Sequence, residues 1–149
     1  MSTQVNLSDK FSQIHEHWKP HIAGELNGQL IKLVKFQGEF VWHHHDNEDE
    51  MFFVVKGQFR MEFRDEASAP KGLNSSGRDS ARLEAVPSPR AVDGRVVIID
   101  EGEFIVVPRG VEHKPVADEE CWVMLFEPAS TLNTGNVVNE RTVRELKHV

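Results

Sequence analysis

The hydrophobic residues of this chain recur mostly at every second position, a period that predicts β-strands. Phe59, Met61 and Phe63 alternate with charged residues, which predicts a strand with one solvated face. Asn27-Gly28 predicts a tight hairpin between two such runs. The strands that we predict are 22–26, 29–36, 39–45, 50–56, 58–64, 95–100, 103–107, 111–116 and 121–127.

A different period marks the two ends of the chain. Phe11, Ile14 and Trp18 recur at helical spacing, with Ser8 as a candidate N-cap and Pro20 as the stop. This pattern predicts a short N-terminal helix. A second short helix is predicted within 138–149.

Three predicted strands carry apolar residues at both odd and even positions, and thus on both faces, at 51–55, 104–107 and 121–126. Their outer faces must therefore also be covered, by the N-terminal helix, a second sheet or another subunit. We expect a homodimer.

Composition narrows the function classes. The 149 residues carry a formal charge of −7, which argues against a nucleic acid or an anionic membrane as the main partner. The length fits a single domain, 1–149. Its one cysteine, Cys121, forms no internal disulfide, and no apolar run has the length of a membrane helix, so we expect a cytoplasmic protein.

The segment from about 66 to 94 differs from the rest, because Gly, Pro, Ser and Asn are frequent in it and apolar residues are few. Such a composition does not bury enough apolar surface to offset its ordering entropy. We expect a flexible insertion between two groups of strands.

The candidate chemistry lies in a histidine cluster. Strand alternation places His43 and His45 on one face and His44 on the other, an acidic turn follows at 46–50, and His113 comes much later. Three imidazoles and one carboxylate suit a divalent Fe, Mn, Ni, Zn, Cu or Co ion. The spacing alone does not identify which of the acidic residues Glu48, Asp49 and Glu50 is the ligand. A solvated His-rich turn that binds no metal is an equally good interpretation of this segment.

Two motifs in this chain resemble those of the cupin family. Gly38, the His43-x-His45 pair, Glu50 and Gly57 match the first motif, and the second is matched by Gly102, Pro108, Gly110 and His113. The resemblance implies an all-β, RmlC-like jelly-roll barrel, a double-stranded β-helix, with a metal ion held inside by His43, His45, Glu50 and His113. Among the three acidic residues, Glu50 is the one that the resemblance implies as the metal ligand, because six residues separate it from Gly57 as in the family motif.

The chain departs from the family pattern at two places. Four residues rather than five separate Gly38 from His43, and Ala117 stands where an asparagine is frequent. The tail 127–135 resembles that of small bacterial cupins named mannose-6-phosphate isomerase-like. A shared fold does not establish an isomerase activity.

Two functions follow from these features. In the first, the metal serves an enzyme of isomerase or dioxygenase type that acts on a small polar molecule, with Glu50 as ligand and catalytic proton acceptor. In the second, the barrel binds or senses a small ligand without chemistry. A barrel whose histidines bind nothing is the third, purely structural alternative.

Several other residues are given structural roles. Phe52 and Val54 share the parity of Glu50 and are expected to line the barrel. Cys121 is expected to be a buried apolar residue, and Lys35 to face solvent. We expect the side chains of His15, His17 and His21 to be exposed to solvent or to lie near the end of the helix.

Overall fold

The computed structural model describes residues 3–64 and 94–149. The insertion expected at about 66–94 lies outside the described residues, apart from Gly94. The elements are α1 (Leu7–Phe11), β1 (His21–Leu26), β2 (Gln29–Glu39), β3 (Glu50–Lys56), β4 (Gln58–Phe63), β5 (Val96–Asp100), β6 (Phe104–Val107), β7 (His113–Pro128) and β8 (Lys147–His148).

The long strand β7 connects the two halves of the barrel. One edge of β7 pairs with β2 along most of its length, whereas the other edge pairs first with β4 and then with β3. The outer strands continue this arrangement, since β5 pairs with β4, β6 with β3, and β1 with both β2 and β8. The result is the expected jelly-roll barrel with a short helix.

The barrel interior is packed by alternate residues of these strands. Phe59, Met61 and Phe63 are buried as their alternation predicts, and Phe52 and Val54 are buried beside Glu50. Phe36 packs edge-on against Phe59, with ring centroids 5.2 Å apart. Burial of this apolar surface is the main stabilising contribution.

Outside the barrel, α1 covers part of the outer face of β2 and β7. Phe11, which is fully buried, stacks on Trp122 with ring centroids 4.8 Å apart. Leu33 and Ile14 belong to the same small cluster. Of the three alternatives for covering the apolar outer residues, the N-terminal helix is the one found beside Trp122.

The helix itself is shorter than predicted. Asn6, not Ser8, is the N-cap, since its Oδ1 accepts a hydrogen bond from the Asp9 amide. Trp18 lies beyond the helix with φ of 63°, so its side chain reaches the barrel and its Nε1 donates to the Gln37 carbonyl. Tertiary packing of the indole ring has overridden the helical spacing.

Three of the predicted strands differ from those in the structure. The predicted strand 39–45 is not formed, because β2 already extends to Glu39 and the residues after it make only isolated backbone contacts with β7. The predicted strands 111–116 and 121–127 are one strand, because a bulge in β2 between Phe36 and Gly38 lets pairing continue past Ala117.

The helix predicted within 138–149 is also wrong. Asn139 Oδ1 accepts from the Arg141 amide, and Thr142 Oγ1 accepts from the Asn139 amide. Such local side-chain bonds compete with helical hydrogen bonds. The segment instead ends in the short strand β8.

Among the described residues, no helix is long and apolar enough to cross a membrane.

Removal of the aromatic ring of Phe11 tests the role of α1. We expect Phe11→Ala to lower the free energy of unfolding by about 3 to 5 kcal/mol, because it leaves a cavity between α1 and Trp122. Chemical denaturation followed by circular dichroism measures this change. Val138→Ala, at a side chain that is 67% exposed, is the control and changes stability by less than about 0.5 kcal/mol. Equal effects of the two substitutions would contradict the assigned role.

Candidate metal centre

A backbone bridge brings the two distant histidine segments together. The His43 amide donates to the His113 carbonyl at 3.0 Å, and the His113 amide donates to the His43 carbonyl at 2.9 Å. His113 is the first residue of β7 and Glu50 the first residue of β3, so both side chains enter the barrel at strand ends. The bridge therefore fixes the separation of side chains from the two motifs.

Four buried donor groups converge behind this bridge. His43, His45, Glu50 and His113 each offer one ligating atom, and these atoms lie within 4.8 Å of one another. His45 Nε2 is 2.7 Å and His113 Nε2 is 3.4 Å from Glu50 Oε2. The cluster combines the donor types that borderline divalent ions prefer.

Backbone carbonyls orient two of the imidazoles. His43 Nδ1 donates to the Val41 carbonyl at 3.0 Å, and His113 Nδ1 donates to the Val111 carbonyl at 2.8 Å. A carbonyl only accepts, so each Nδ1 carries the proton and each Nε2 presents a lone pair. Metal-binding histidines are commonly held in this way.

The buried polar atoms of the cluster have a second property that suits a cation. His45 Nε2, His113 Nε2 and Glu50 Oε2 are buried without a hydrogen-bond partner elsewhere in the described parts of the chain, and their close contacts are with one another. Buried polar atoms are rarely left in this state. The donor set therefore fits a metal ion, which would satisfy all of these atoms at once.

Electrostatics favour the ligating forms of two groups. Burial, together with the nearby His113, lowers the pKa of His43 to about 3, so its imidazole is neutral at pH 7. Burial alone would raise the pKa of Glu50, but contacts with His113 and His45 lower it well below its usual range. A neutral imidazole and an ionised carboxylate are the forms that bind metals.

The structure separates Glu50 from its neighbours in the acidic turn. Glu48 Oε2 accepts a hydrogen bond from Ser130, and Asp49 accepts from the backbone and guanidinium of Arg109. Only Glu50 of these three is buried and enters the cluster.

The remaining histidines lie away from the cluster. His44 points to the other side, as alternation predicts, where its ring contacts Glu112 and Asp46. His15 and His17 are exposed beyond the end of α1, and His21 begins β1. None of these histidines joins the metal cluster.

Two other candidate residues keep structural roles. Cys121 is buried, and burial raises the pKa of its thiol to about 12, which makes it a poor nucleophile at pH 7. Lys35 is half-buried on the outer side, with its ammonium 5.3 Å from the Trp122 ring centroid.

The C-terminal segment packs against the backbone of His44, between His43 and His45. The Asn136 amide donates to the His44 carbonyl, and Asn136 Oδ1 accepts from the His44 amide. Gly135, with φ of 56°, lies against the same backbone, and a Cβ atom there would collide with the His44 carbonyl oxygen. Glycine is therefore required at this contact.

The cluster opens onto a small, partly open pocket of the barrel. His43 and Glu50 form part of its lining, so an ion held by the cluster would be reached from this space. Most of the other lining side chains are apolar, among them Trp18, Phe40 and Phe52.

Sequence reasoning missed two charged residues inside the barrel. Lys32 and Glu127 are each 1% exposed, and Lys32 Nζ donates to Glu127 Oε2 at 2.6 Å. The signal was available, since Lys32 shares the inward parity of Leu30 and Val34 in a buried strand. A lysine at such a position requires a buried acidic partner.

Comparison with known proteins agrees with this geometry. The family model described as Cupin matches residues 25–147. Among curated proteins, the uncharacterized protein YdbB of Bacillus subtilis is 33% identical over 76 residues, which are 51% of this chain and 67% of that protein.

Solved structures share the same architecture. A cupin-2 domain containing protein from Shewanella frigidimarina is 37% identical, with a TM-score of 0.63 over 83% of this chain and 93% of that chain. The hydroquinone 1,2-dioxygenase of Sphingomonas sp. TTNP3, in complex with 4-nitrophenol, has a TM-score of 0.62 at 15% identity over 86% of this chain and 33% of that one. The hydroquinone 1,2-dioxygenase PnpCD, in complex with Fe³⁺, has a TM-score of 0.61 at 14% identity over 84% of this chain and 32% of that chain. At this low sequence identity, the similarity to the two dioxygenases indicates a shared fold and nothing about function.

The matched family model covers most of the chain and includes both histidine motifs and Glu50, so this chain belongs to the cupin family.

Proposed function

We propose that His43, His45, Glu50 and His113 bind one divalent transition metal ion, and that the protein is a metal-dependent enzyme acting on a small molecule in the barrel. The observation that carries this proposal is the convergence of four buried donor atoms within 4.8 Å at the wall of a cavity. Fe, Mn, Ni, Zn, Cu and Co all suit the donor set.

The chemistry divides between the ion and the chain. When bound, such an ion polarises a carbonyl or hydroxyl group, or supports reaction with dioxygen. His43 and His113 hold the geometry through their Nδ1 hydrogen bonds, and Glu50 serves as ligand and as proton acceptor when its bond to the ion loosens. Most walls of the same pocket are apolar.

The reaction type that we propose is that of an isomerase or a dioxygenase. Cupins of solved structure include dioxygenases, one in complex with 4-nitrophenol and one with Fe³⁺. Those two are distant in sequence, so the support for a reaction of this type comes mainly from the donor set and the cavity.

We also propose a homodimer formed through the outer face of β6, β3 and β7. Phe104 and Val106 are 62% and 51% exposed, and they pair across the strands with Phe53 and Met51. Phe126 of β7 extends the same apolar surface beside Met51. Contiguous apolar surface of this kind is typical of an interface, and a second copy offers a self-complementary surface.

Elemental analysis tests the metal site. We expect about one metal ion per chain in the wild type purified without oxygen, and almost none in the double variant His43→Ala, His113→Ala. His44→Ala is the matched control, since it removes an adjacent imidazole that points away, and it retains the ion. Equal metal content in the two variants would contradict the ligand assignment.

Activity is tested on protein reconstituted separately with each of the six metals. Sugar phosphates, flavonols, thiols and diketones are supplied, and oxygen uptake and products are recorded. We expect turnover with one metal and a loss of at least about a hundredfold in the double variant, because the ion supplies the main stabilisation of developing charge. Full metal occupancy with saturable binding and no turnover would instead identify a non-catalytic binding module.

Light scattering after size exclusion tests the dimer. We expect the wild type at twice the mass of one chain, and Phe104→Glu at the mass of a single chain, because a charge is costly in an apolar interface. Val138→Glu, on another exposed side chain, remains dimeric as the control. A monomeric wild type would refute this interface.

A further inference from the structure

The segment that carries His43 and His45 lies between β2 and β3, and its backbone is hydrogen-bonded on two edges. On the first edge, the His43 amide and carbonyl pair with His113, and the His45 carbonyl accepts from the Gly110 amide at 2.7 Å. In an extended chain the polar backbone groups of successive residues point to alternate edges. The amide and carbonyl of His44 therefore need a partner on the second edge.

Asn136 is that partner. Its amide donates to the His44 carbonyl at 3.0 Å, and its side-chain Oδ1 accepts from the His44 amide at 2.8 Å. One residue thus makes both of the hydrogen bonds that a neighbouring strand would make. The histidine segment is enclosed between the start of β7 on one edge and Asn136 on the other, although Asn136 lies 92 residues further along the chain.

Gly135 brings the same loop against one of the candidate ligands. A Cβ atom at position 135 would lie 3.0 Å from Cδ2 of the His43 ring and would collide with the His44 carbonyl oxygen. Cδ2 is bonded to Nε2, the nitrogen of His43 that presents its lone pair to the cluster. The backbone of Gly135 therefore packs beside the ligating edge of this imidazole.

Hydrogen bonds within the loop hold these two residues in place. Thr134 is fully buried, and its hydroxyl shares a hydrogen bond of 2.7 Å with the Thr142 hydroxyl. Asn133 Oδ1 accepts from the Val143 amide at 2.8 Å, and Asn133 Nδ2 donates to the Arg141 carbonyl at 2.8 Å. These bonds join the two arms of the loop, so the residues that touch the histidine segment are carried by a folded support.

We propose that Asn136, together with Gly135, is a positioning element that fixes the imidazoles of His43 and His45 in their ligating arrangement. The assignment rests on the proposed metal site, because it gives a role there to residues outside the cluster. Replacement of residues that orient metal ligands commonly lowers metal affinity by about 10 to 100-fold.

The test measures Co²⁺ binding to the metal-free full chain by visible absorption, which reports both the affinity and the arrangement of the ligands. Asn136→Ala removes Oδ1 from an exposed side chain, and Gly135→Ala places a Cβ atom against His44. Gly28→Ala is the matched control for the second variant. Gly28 also has a positive φ, 81°, but a Cβ atom there meets nothing within 4 Å.

We expect the Co²⁺ dissociation constant to rise by about tenfold or more in Asn136→Ala and Gly135→Ala, with a changed spectrum, and to stay within about twofold in Gly28→Ala. Asn136→Asp retains an Oδ1 acceptor for the His44 amide, so it keeps the wild-type spectrum. A loss of folding stability alone leaves the spectrum of the bound ion unchanged.

Wild-type affinity and spectrum in Asn136→Ala and Gly135→Ala would overturn the proposal and leave the loop with a purely structural role. If Gly135→Ala does not fold, Asn136→Ala decides the question, because its side chain is exposed and its replacement leaves no cavity in the core.

Amide hydrogen exchange in the metal-free protein separates this proposal from the metal site. The informative amides are those of His43 and His113, which bond to each other and not to Asn136. We expect them to exchange at least about tenfold faster in Asn136→Ala, because the histidine segment is then held less firmly on its second edge.

The two proposals fail in different ways. A wild type that binds no Co²⁺ but shows the faster exchange in Asn136→Ala overturns the proposed function alone. A wild type that binds one Co²⁺ per chain, with exchange and spectrum unaffected by Asn136→Ala, overturns the role of Asn136 alone. Absence of both Co²⁺ binding and the change in exchange overturns both.

Discussion

The pair of backbone hydrogen bonds between His43 and His113 is the contact on which the centre depends. These bonds hold one histidine segment at the start of the long strand β7, and β7 in turn pairs with β2, β3 and β4. The position of His113 is therefore fixed by three neighbouring strands. A site assembled from distant segments gains its precision from this network rather than from the histidines themselves.

The burial of these polar groups inside an apolar barrel costs free energy, which hydrogen bonds and ion pairs partly offset. Hydrogen bonds to the Val41 and Val111 carbonyls satisfy one nitrogen of His43 and of His113, and Lys32 satisfies one oxygen of Glu127. The opposite atoms of His113 and Glu127 have no such partner among the described residues. Burying such atoms costs free energy of folding, so the cluster is stabilised by the packing around it and not by its own polar contacts.

Much of the barrel and all four members of the cluster could be predicted from the sequence. Alternation fixes which side chains of β3 and β4 point inward, and the spacing of the two cupin motifs identifies Glu50, whose neighbours Glu48 and Asp49 bind Ser130 and Arg109 instead. The ion pair of Lys32 with Glu127 was missed because no sequence motif links these two positions, although the inward parity of Lys32 indicates a buried lysine. Trp18 and the segment 138–149 were misjudged because distant packing and local side-chain bonds outweigh helical periodicity.

The contact between Gly135 and the His44 carbonyl gives the C-terminal segment a mechanical role. Residues 134–136 are held against the backbone between His43 and His45 by the two hydrogen bonds of Asn136 with His44. A side chain at position 135 would have to displace this backbone, although residue 135 itself is not part of the cluster.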